Sequence, residues 1–388
     1  MLQLLKKLAI PRAVGTKGNN EIIQFLREFF EKSGYTVKSM PFTCTVWEES
    51  ASAIEWENRK LKIRVSPYSK SFCGEGMIRI VETMDELSEL ECKDTILLVT
   101  GELSKEPLQP KDYPFYYPDE HKNLIDLLEQ KKPLAIIAAT GKHPMCGLDP
   151  YPLFEDGNFL IPSAYISEND YAKIRDEING KRVRVCISSE CAETESEQIY
   201  ASKTVPNAKG KIVICAHMDS KNHTQGALDN ASGIATMLKL AETLHVTDYD
   251  IDMVPFNCEE YYGANGELLY IDEITKNQDD IKLLINIDSV GHVGADVASS
   301  FYNVSEELTN RITQIIKRRE RTQLGMEWYA GDHAVFAFQG VACIAITSSD
   351  IAEGGLDCTH TMEDEIQTVD VRRLEDAASF VEELVSQI

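Results

Sequence analysis

Seven residues of this 388-residue chain carry the chemistry worth placing first: His217, Asp219, Asp229, Glu259, Glu260, Asp288 and His360. Each stands at or just beyond an apolar, strand-like run. Ala216-His217-Met218-Asp219 closes one such run, and the loop GALDNASG carries Asp229 to the start of a helix. Glu259-Glu260 and Asp288 end two more runs, and Cys358-Thr359-His360-Thr361 follows the last. Singly, a histidine or aspartate at a strand end is usually a capping or hydrogen-bonding group. Jointly, two imidazoles and three carboxylates form a ligand set for two divalent cations, provided one carboxylate bridges them. Asp229, held between a strand and a helix, is the natural bridge. Two Zn²⁺ ions bring four positive charges, which three carboxylates and one shared hydroxide balance. Glu259 is then left over as a general base. Adjacent residues at a strand end point in different directions, so Glu260 can bind metal while Glu259 faces the water.

Such a constellation needs strands whose carboxyl ends open on one crevice, as parallel sheets provide. From about residue 192 onward the pattern supplies them. Strands are expected at 211–216, 253–257, 283–287 and 342–347, and helices at 231–245, 306–318 and 369–388. The alternation predicts an α/β fold with a mostly parallel central sheet and helices on both faces. Earlier, Ile22, Ile23, Leu26, Phe29 and Phe30 fall at helical spacing and Gly34 supplies a stop, which predicts a helix over 20–33. A strand over 37–47 follows. The VGTKGNN segment before that helix lacks the GK[ST] ending of a phosphate-binding loop. Between 57 and 191 come short elements: strands near 61–65, 77–81, 95–100, 134–140, 159–166 and 182–187, and helices near 123–131 and 168–179. They predict a smaller inserted α+β unit, so that 1–56 and 192–388 form one domain and 57–191 another. No pair of acids, histidines or cysteines in the insert has catalytic spacing.

Hydrophobic residues make up 43% and charged residues 26%, the composition of a folded globular protein. The net charge of −24 disfavours nucleic acid and anionic lipid as partners. No apolar run reaches the ~18–20 residues that span a bilayer, so no membrane partner is expected. The ten cysteines are scattered singly, without a CxxC, and read as reduced, buried thiols. Residues 1–10 lack a signal-peptide core, which makes the cytoplasm the expected compartment.

The chain resembles the family-28 metallopeptidases, the di-zinc aminopeptidases of the bacterial secreted and glutamate carboxypeptidase type. The resemblance is carried by AHMDS at 216–220, GALDNASG at 226–233, NCEEYYGANGELLY at 257–270, NIDSVG at 286–291, GDHAVF at 331–336 and HTMED at 360–364. Arg12-Ala13-Val14-Gly15-Thr16 supplies an RxxGT element near the N-terminus. Carried over by position, the resemblance implies His217, Asp229 and Asp288 on one zinc and Asp229, Glu260 and His360 on the other. It makes Glu259 the base, Asp219 the group that fixes the His217 imidazole, and the Asp229-Asn230 peptide cis. Glu365 departs from the family's usual Thr, which touches only local turn geometry. The insert is similar to a protease-associated domain through LAIIAATG and FLIPSAYIS, and is expected to act as a lid or an assembly surface.

The remaining candidates have plainer readings. His121, His143, His223, His245 and His292 are expected at the surface or in structural roles. His333 is expected to be structural and near the cleft, and Tyr261 and Tyr262 to pack as wall. The implied activity is a co-catalytic di-zinc exopeptidase, an aminopeptidase acting on peptides, with Co²⁺ or Mn²⁺ able to use the same ligands and homo-oligomerisation left open. The alternatives are an exopeptidase reading a C-terminal carboxylate, a glutaminyl-cyclase-like acyltransferase, which typically uses one metal, and a non-catalytic binding protein on the same fold.

Overall fold

The computed structural model describes residues 1–144, 146–244, 248–277 and 280–388. The expected roles of His245 and the last residue of the 231–245 helix therefore lie outside the described residues. The chain divides into two compact units, Met1–Cys44 with Glu195–Ile388, and Thr45–Thr194.

The first unit opens with α1 (Leu2–Leu8), α2 (Lys17–Lys32) and the first part of β1 (Thr36–Glu49), which runs past Cys44 into the second. Helix α2 begins where Thr16 accepts a hydrogen bond from the Asn19 N–H, a side-chain cap that places its start at Lys17. It buries Ile22, Ile23, Leu26 and Phe30.

The second unit contains β2 (Ser52–Trp56), β3 (Arg59–Val65), β4 (Phe72–Val81), α3 (Met84–Glu89), β5 (Thr95–Val99), α4 (Asp119–Lys131), β6 (Ala135–Thr140), β7 (Ser163–Ser167), α5 (Glu168–Ile178) and β8 (Arg182–Ile187). Its strands close into a barrel in the order β2-β3-β7-β6-β5-β4-β8. Strands β5 and β6 are buried throughout, and apolar but for Thr95 and Thr140 at their ends, because both faces are covered. Ile96, Leu98, Ala135 and Ile137 pack with Trp56 and the α5 residues Ile174 and Ile178, whereas Leu97, Val99, Ile136 and Ala138 pack with Leu87 of α3 and Leu124 and Leu128 of α4. This compact unit starts at Thr45, earlier than the expected 57, and β2 before that point is a barrel strand, paired with β3 on one side and β8 on the other.

The expectation of ten reduced thiols is also corrected here. Cys73 and Cys186 form a disulfide, directly opposite each other on the antiparallel β4 and β8. Their sequence separation of 113 residues hides the pairing until the register is known. Cys191, moreover, is exposed rather than buried.

The chain returns to the first unit through β9 (Ser189–Lys203) and continues with β10 (Lys211–His217), α6 (Ser232–Thr243), β11 (Asp250–Phe256), α7 (Asn265–Asn277), β12 (Ile281–Ile287), β13 (Val297–Tyr302), α8 (Glu306–Arg318), β14 (Thr322–Leu324), α9 (Asp332–Phe338), β15 (Cys343–Ser348) and α10 (Val371–Val385). Eight strands form one sheet, β1-β9-β11-β10-β12-β15-β13-β14. Its centre, β11-β10-β12-β15, is parallel, with antiparallel pairings at β9 and β13. Alternate residues face opposite layers. Ile212, Ile214, Leu283, Ile285, Ile344 and Ile346 pack with Leu238 of α6 and Phe380 of α10. On the other face, Phe256 meets Tyr270 of α7 and Phe336 of α9, ring centroids 5.7 and 6.0 Å away. The final helix starts at Val371 rather than 369 because Asp370 caps it, accepting from the Arg372 N–H. Among the described residues no helix is long and apolar enough to cross a membrane.

Candidate metal centre

Parallel register brings the strand ends to one rim. His217, the last residue of β10, is level with Phe256, the last of β11, and Cys215 is level with Asn286 near the end of β12. Asp288 follows β12 immediately. Asp229 sits in a wide helical turn, Ala227–Ala231, that leads into α6; its backbone (φ −115°, ψ 90°) is not helical, and the Asp229-Asn230 peptide is cis, as the resemblance implies. Asn230 anchors this turn to β12: its Nδ2 donates to the Ile287 carbonyl (2.9 Å) and its Oδ1 accepts from the Gly233 and Ser289 N–H groups (2.9 and 3.3 Å). A Cβ at Gly233 would lie 2.2 Å from the Ile287 carbonyl oxygen, so this close approach demands glycine. Asp229 is thereby held beside Asp288.

The glutamate pair departs from expectation. Strand β11 ends at Phe256, and Glu259 and Glu260 occupy the turn beyond it, entered through Cys258 at φ +97°. Strand-end alternation therefore cannot be what separates their directions; the turn does that.

Two trios form, each with ligand atoms within 4.8 Å of one another: His217, Asp229 and Asp288, and Asp229, Glu260 and His360. Asp229 is common to both. Its Oδ1 lies 2.9 Å from His217 Nε2 and its Oδ2 3.1 Å from His360 Nε2. His217 Nε2 is 3.6 Å from Asp288 Oδ1, and His360 Nε2 is 3.2 Å from Glu260 Oε1. Glu260 Oε1 is buried and accepts no hydrogen bond. Buried carboxylates converging on imidazole nitrogens, with an oxygen left unpartnered, fit divalent cations and fit zinc in particular.

The electrostatics report the same crowding of negative charge. Burial pushes the His217 imidazole down, but Glu259, Asp219, Asp229 and Asp288 outweigh it and hold its pKa well above the ordinary histidine value. Burial pushes Glu259 well up, opposed by His217 and reinforced by Glu260, Asp288 and Asp229. Asp229 is held low despite its burial because both histidines face it.

Asp219 faces both His217 and the glutamate turn. Its Oδ1 is 3.8 Å from His217 Nδ1, and its Oδ2 accepts from the Glu260 N–H at 3.1 Å. It ties the His217 loop to the glutamate turn. Sequence reasoning gave no role to Lys221, whose Nζ lies 3.3 Å from Glu260 Oε2, or to Asp364, whose two oxygens accept the Leu228 and Asp229 N–H groups at 2.7 and 3.1 Å. Asp364 closes the HTMED motif already noted and Lys221 directly follows AHMDS, but nothing in their spacing announced a partner. Burial raises Asp364 to about 6.

Among the described residues, the remaining histidines stay apart from both trios. His333 is fully buried, and burial lowers its pKa to about 4. Since the Trp328 carbonyl must accept, His333 donates from Nε2 (2.9 Å) and receives the Asn286 amide at Nδ1 (3.1 Å), a structural role. His292 pairs with Asp350 at 2.8 Å, His121 accepts from the Gln109 N–H, His143 meets the Tyr151 ring, and His223 is exposed. Tyr261 is buried, its ring 4.3 Å from that of Tyr262.

Residues 199–385 match the model of peptidase family M28. Aminopeptidase YwaD of Bacillus subtilis (strain 168) is 25% identical over 198 residues, which are 48% of this chain and 43% of the relative; the matched region thus spans less than half of that protein. The fold is that of an aminopeptidase from Aneurinibacillus sp. strain AM-1 (TM-score 0.79, 19% identity, 100% of this chain and 92% of that one). A zinc aminopeptidase from Bacillus subtilis shares it as well (TM-score 0.74, 19% identity, 100% and 93%).

Proposed function

We propose, from the match of residues 199–385 to the model of peptidase family M28, that the protein is a co-catalytic di-zinc aminopeptidase that removes N-terminal residues from peptides. One observation carries the reading: both oxygens of Asp229 are engaged, each toward the imidazole of a different trio. His217, Asp229 and Asp288 would hold one zinc and Asp229, Glu260 and His360 the other. Bound there, the ions would supply Lewis acidity toward the peptide carbonyl and acidify a water. Glu259 is not needed as a ligand, and its burial, reinforced by Glu260, Asp288 and Asp229, raises its affinity for a proton. It accepts the proton from the attacking water and returns it to the leaving amine. Asp219 and Asn230 keep the ligand loops in register during that transfer.

Recognition of the amino end is supported by charge. With three carboxylates neutralised by the ions, Glu259 in its ionised, proton-accepting form adds a further negative group, and the chain carries −24 overall; both favour an ammonium over a carboxylate at the entrance. The relatives bear the name aminopeptidase. The test is turnover of aminoacyl fluorogenic substrates beside N-blocked and C-blocked peptides, with and without chelator. Chelator-sensitive cleavage that N-blocking abolishes is the expected result. Cleavage of N-blocked but not C-blocked peptides would transfer the reading to a carboxypeptidase, and no cleavage at all would remove it.

A further inference from the structure

Residues 12–19 lie outside the matched segment 199–385, yet they hold its ligand loops. Arg12 is 1% exposed and heads the largest fully buried side chains. Its Nε donates to the Met218 carbonyl (2.7 Å), its Nη1 to the carbonyls of Gln225 (2.5 Å) and Ile10 (3.2 Å), and its Nη2 to that of Gly226 (2.9 Å). Its backbone N–H donates to Ser220 Oγ at 3.2 Å. A planar fork of donors is what allows a guanidinium to be buried against neutral carbonyls. The acceptors are not arbitrary: Met218 follows His217, and Gln225 and Gly226 lead into Asp229. Gly226 is at φ +53°, and a Cβ there would lie 2.4 Å from the Asp229 carbonyl oxygen and 3.1 Å from Arg12 Nη1. The Asp229 turn is therefore held at its carbonyl groups by Arg12 and at its N–H groups by Asp364.

Asn19 makes the second tie. Its Nδ2 donates to the Arg12 carbonyl (3.2 Å) and to Asn257 Oδ1 (2.9 Å), while its Oδ1 accepts from Ser196 Oγ (2.9 Å) and Asn257 Nδ2 (3.2 Å). Asn257 stands two residues before Glu259. Loops beyond strand ends have no ladder to satisfy their backbone groups, so buried carbonyls there need partners from elsewhere. Here those partners come from more than 200 residues away, with separations of 206 for Met218 and 214 for Gly226. Arg12 also brings a buried cation toward Asp219, Asp229, Glu260 and Asp364; burial lowers its pKa to about 10, so it stays charged at neutral pH.

We infer that residues 12–19 are a brace for the metal centre, with Arg12 and Asn19 as positioning residues, and that the 199–385 segment is incomplete as a metal site without them. This rests on the metal-binding reading above. The test uses the full chain and no substrate. Zn²⁺ affinity is measured by competition with a chromophoric chelator, and the Co²⁺ form is followed by its visible absorption. Loss of a group that orients ligands typically weakens metal binding about 10–100-fold. Arg12→Met is therefore expected to weaken zinc at least tenfold and to alter the Co²⁺ bands, with Arg12→Lys restoring only part, since one ammonium cannot serve four carbonyls. Leu26→Ala, in the buried face of α2, should lower thermal stability with affinity unchanged. A loss smaller than tenfold in Arg12→Met overturns the inference, as does an equal loss in Leu26→Ala. If Arg12→Met does not fold by circular dichroism, Arg12→Lys, which keeps the buried charge, is read against the same threshold. A wild-type chain that binds no zinc defeats this inference and the proposed function together; a wild type with two ions and indifferent variants defeats this inference alone.

Discussion

Asp364 offers a perturbation whose size and pH dependence both follow from the structure. Its carboxylate is fully buried and takes the N–H groups of Leu228 and Asp229. Asp364→Ala leaves both donors without an acceptor, at about 1–3 kcal/mol each, so a loss of about 2–6 kcal/mol is expected from the hydrogen bonds. Burial also raises the folded-state pKa to about 6 from 3.8. A carboxyl with a raised folded-state pKa binds a proton in the folded protein before the unfolded chain does, so wild type gains stability as pH falls from about 7 toward 4. At pH 5, one unit below the folded-state value, that gain is about 1.4 kcal/mol relative to pH 8. Asp364→Ala has no such carboxyl, and its deficit should therefore widen by about 1.4 kcal/mol between pH 8 and pH 5. Urea denaturation of wild type and variant, both metal-free in the presence of chelator, measures the two deficits at the two pH values. A deficit that stays constant or shrinks on acidification would refute the reasoning, whatever its absolute size.

The other expectations concern the proposed chemistry. Asp229→Asn should lower the zinc content of the purified protein from two ions per chain and weaken both sites; elemental analysis that finds one site untouched would rule out bridging. Glu259→Gln should cut turnover ~10²-fold or more with metal content unchanged, whereas Glu260→Gln should lose metal. If the two variants behave alike, the division between base and ligand is wrong. Replacing the Thr45–Thr194 unit with a short Gly/Ser linker should leave zinc binding intact. It should also shift peptide-length preference if the unit is a lid, or the sedimentation coefficient if it is an assembly surface. No change in either would leave neither role.

What could be read from the sequence follows from how each signal is encoded. The central strands were legible because a parallel sheet covered on both faces writes itself as uninterrupted apolar runs, as in Ile212, Val213, Ile214 and Cys215. The seven candidate side chains were legible for a related reason: once such runs are located, polar residues at their carboxyl ends are few. Short or irregular elements were not. Helix α9 spans only Asp332–Phe338 and β14 only Thr322–Leu324, too brief for a period to emerge. The start of the barrel unit was misplaced because β2 earns its place by pairing with β8, more than a hundred residues on.

The groups that hold the ligands were the least legible, and the reason is physical. A metal ligand is defined by its own side-chain chemistry, so residue type and spacing already narrow the choice. Asn19 works instead on the Arg12 carbonyl and the Asn257 carboxamide, and Arg12 and Asp364 on the backbone carbonyl and N–H groups of loops. Every residue type presents those groups, so the partner leaves no mark on the sequence. Only burial betrays them: a guanidinium, a carboxamide and a carboxylate, each 1% exposed or less, must find partners inside. A site built this way can be recognised from its ligands while its rigidity depends on residues that a ligand search passes over. That is why a variant such as Arg12→Met, which touches no ligand side chain, is a sharper probe of how the centre is held than replacement of a ligand itself.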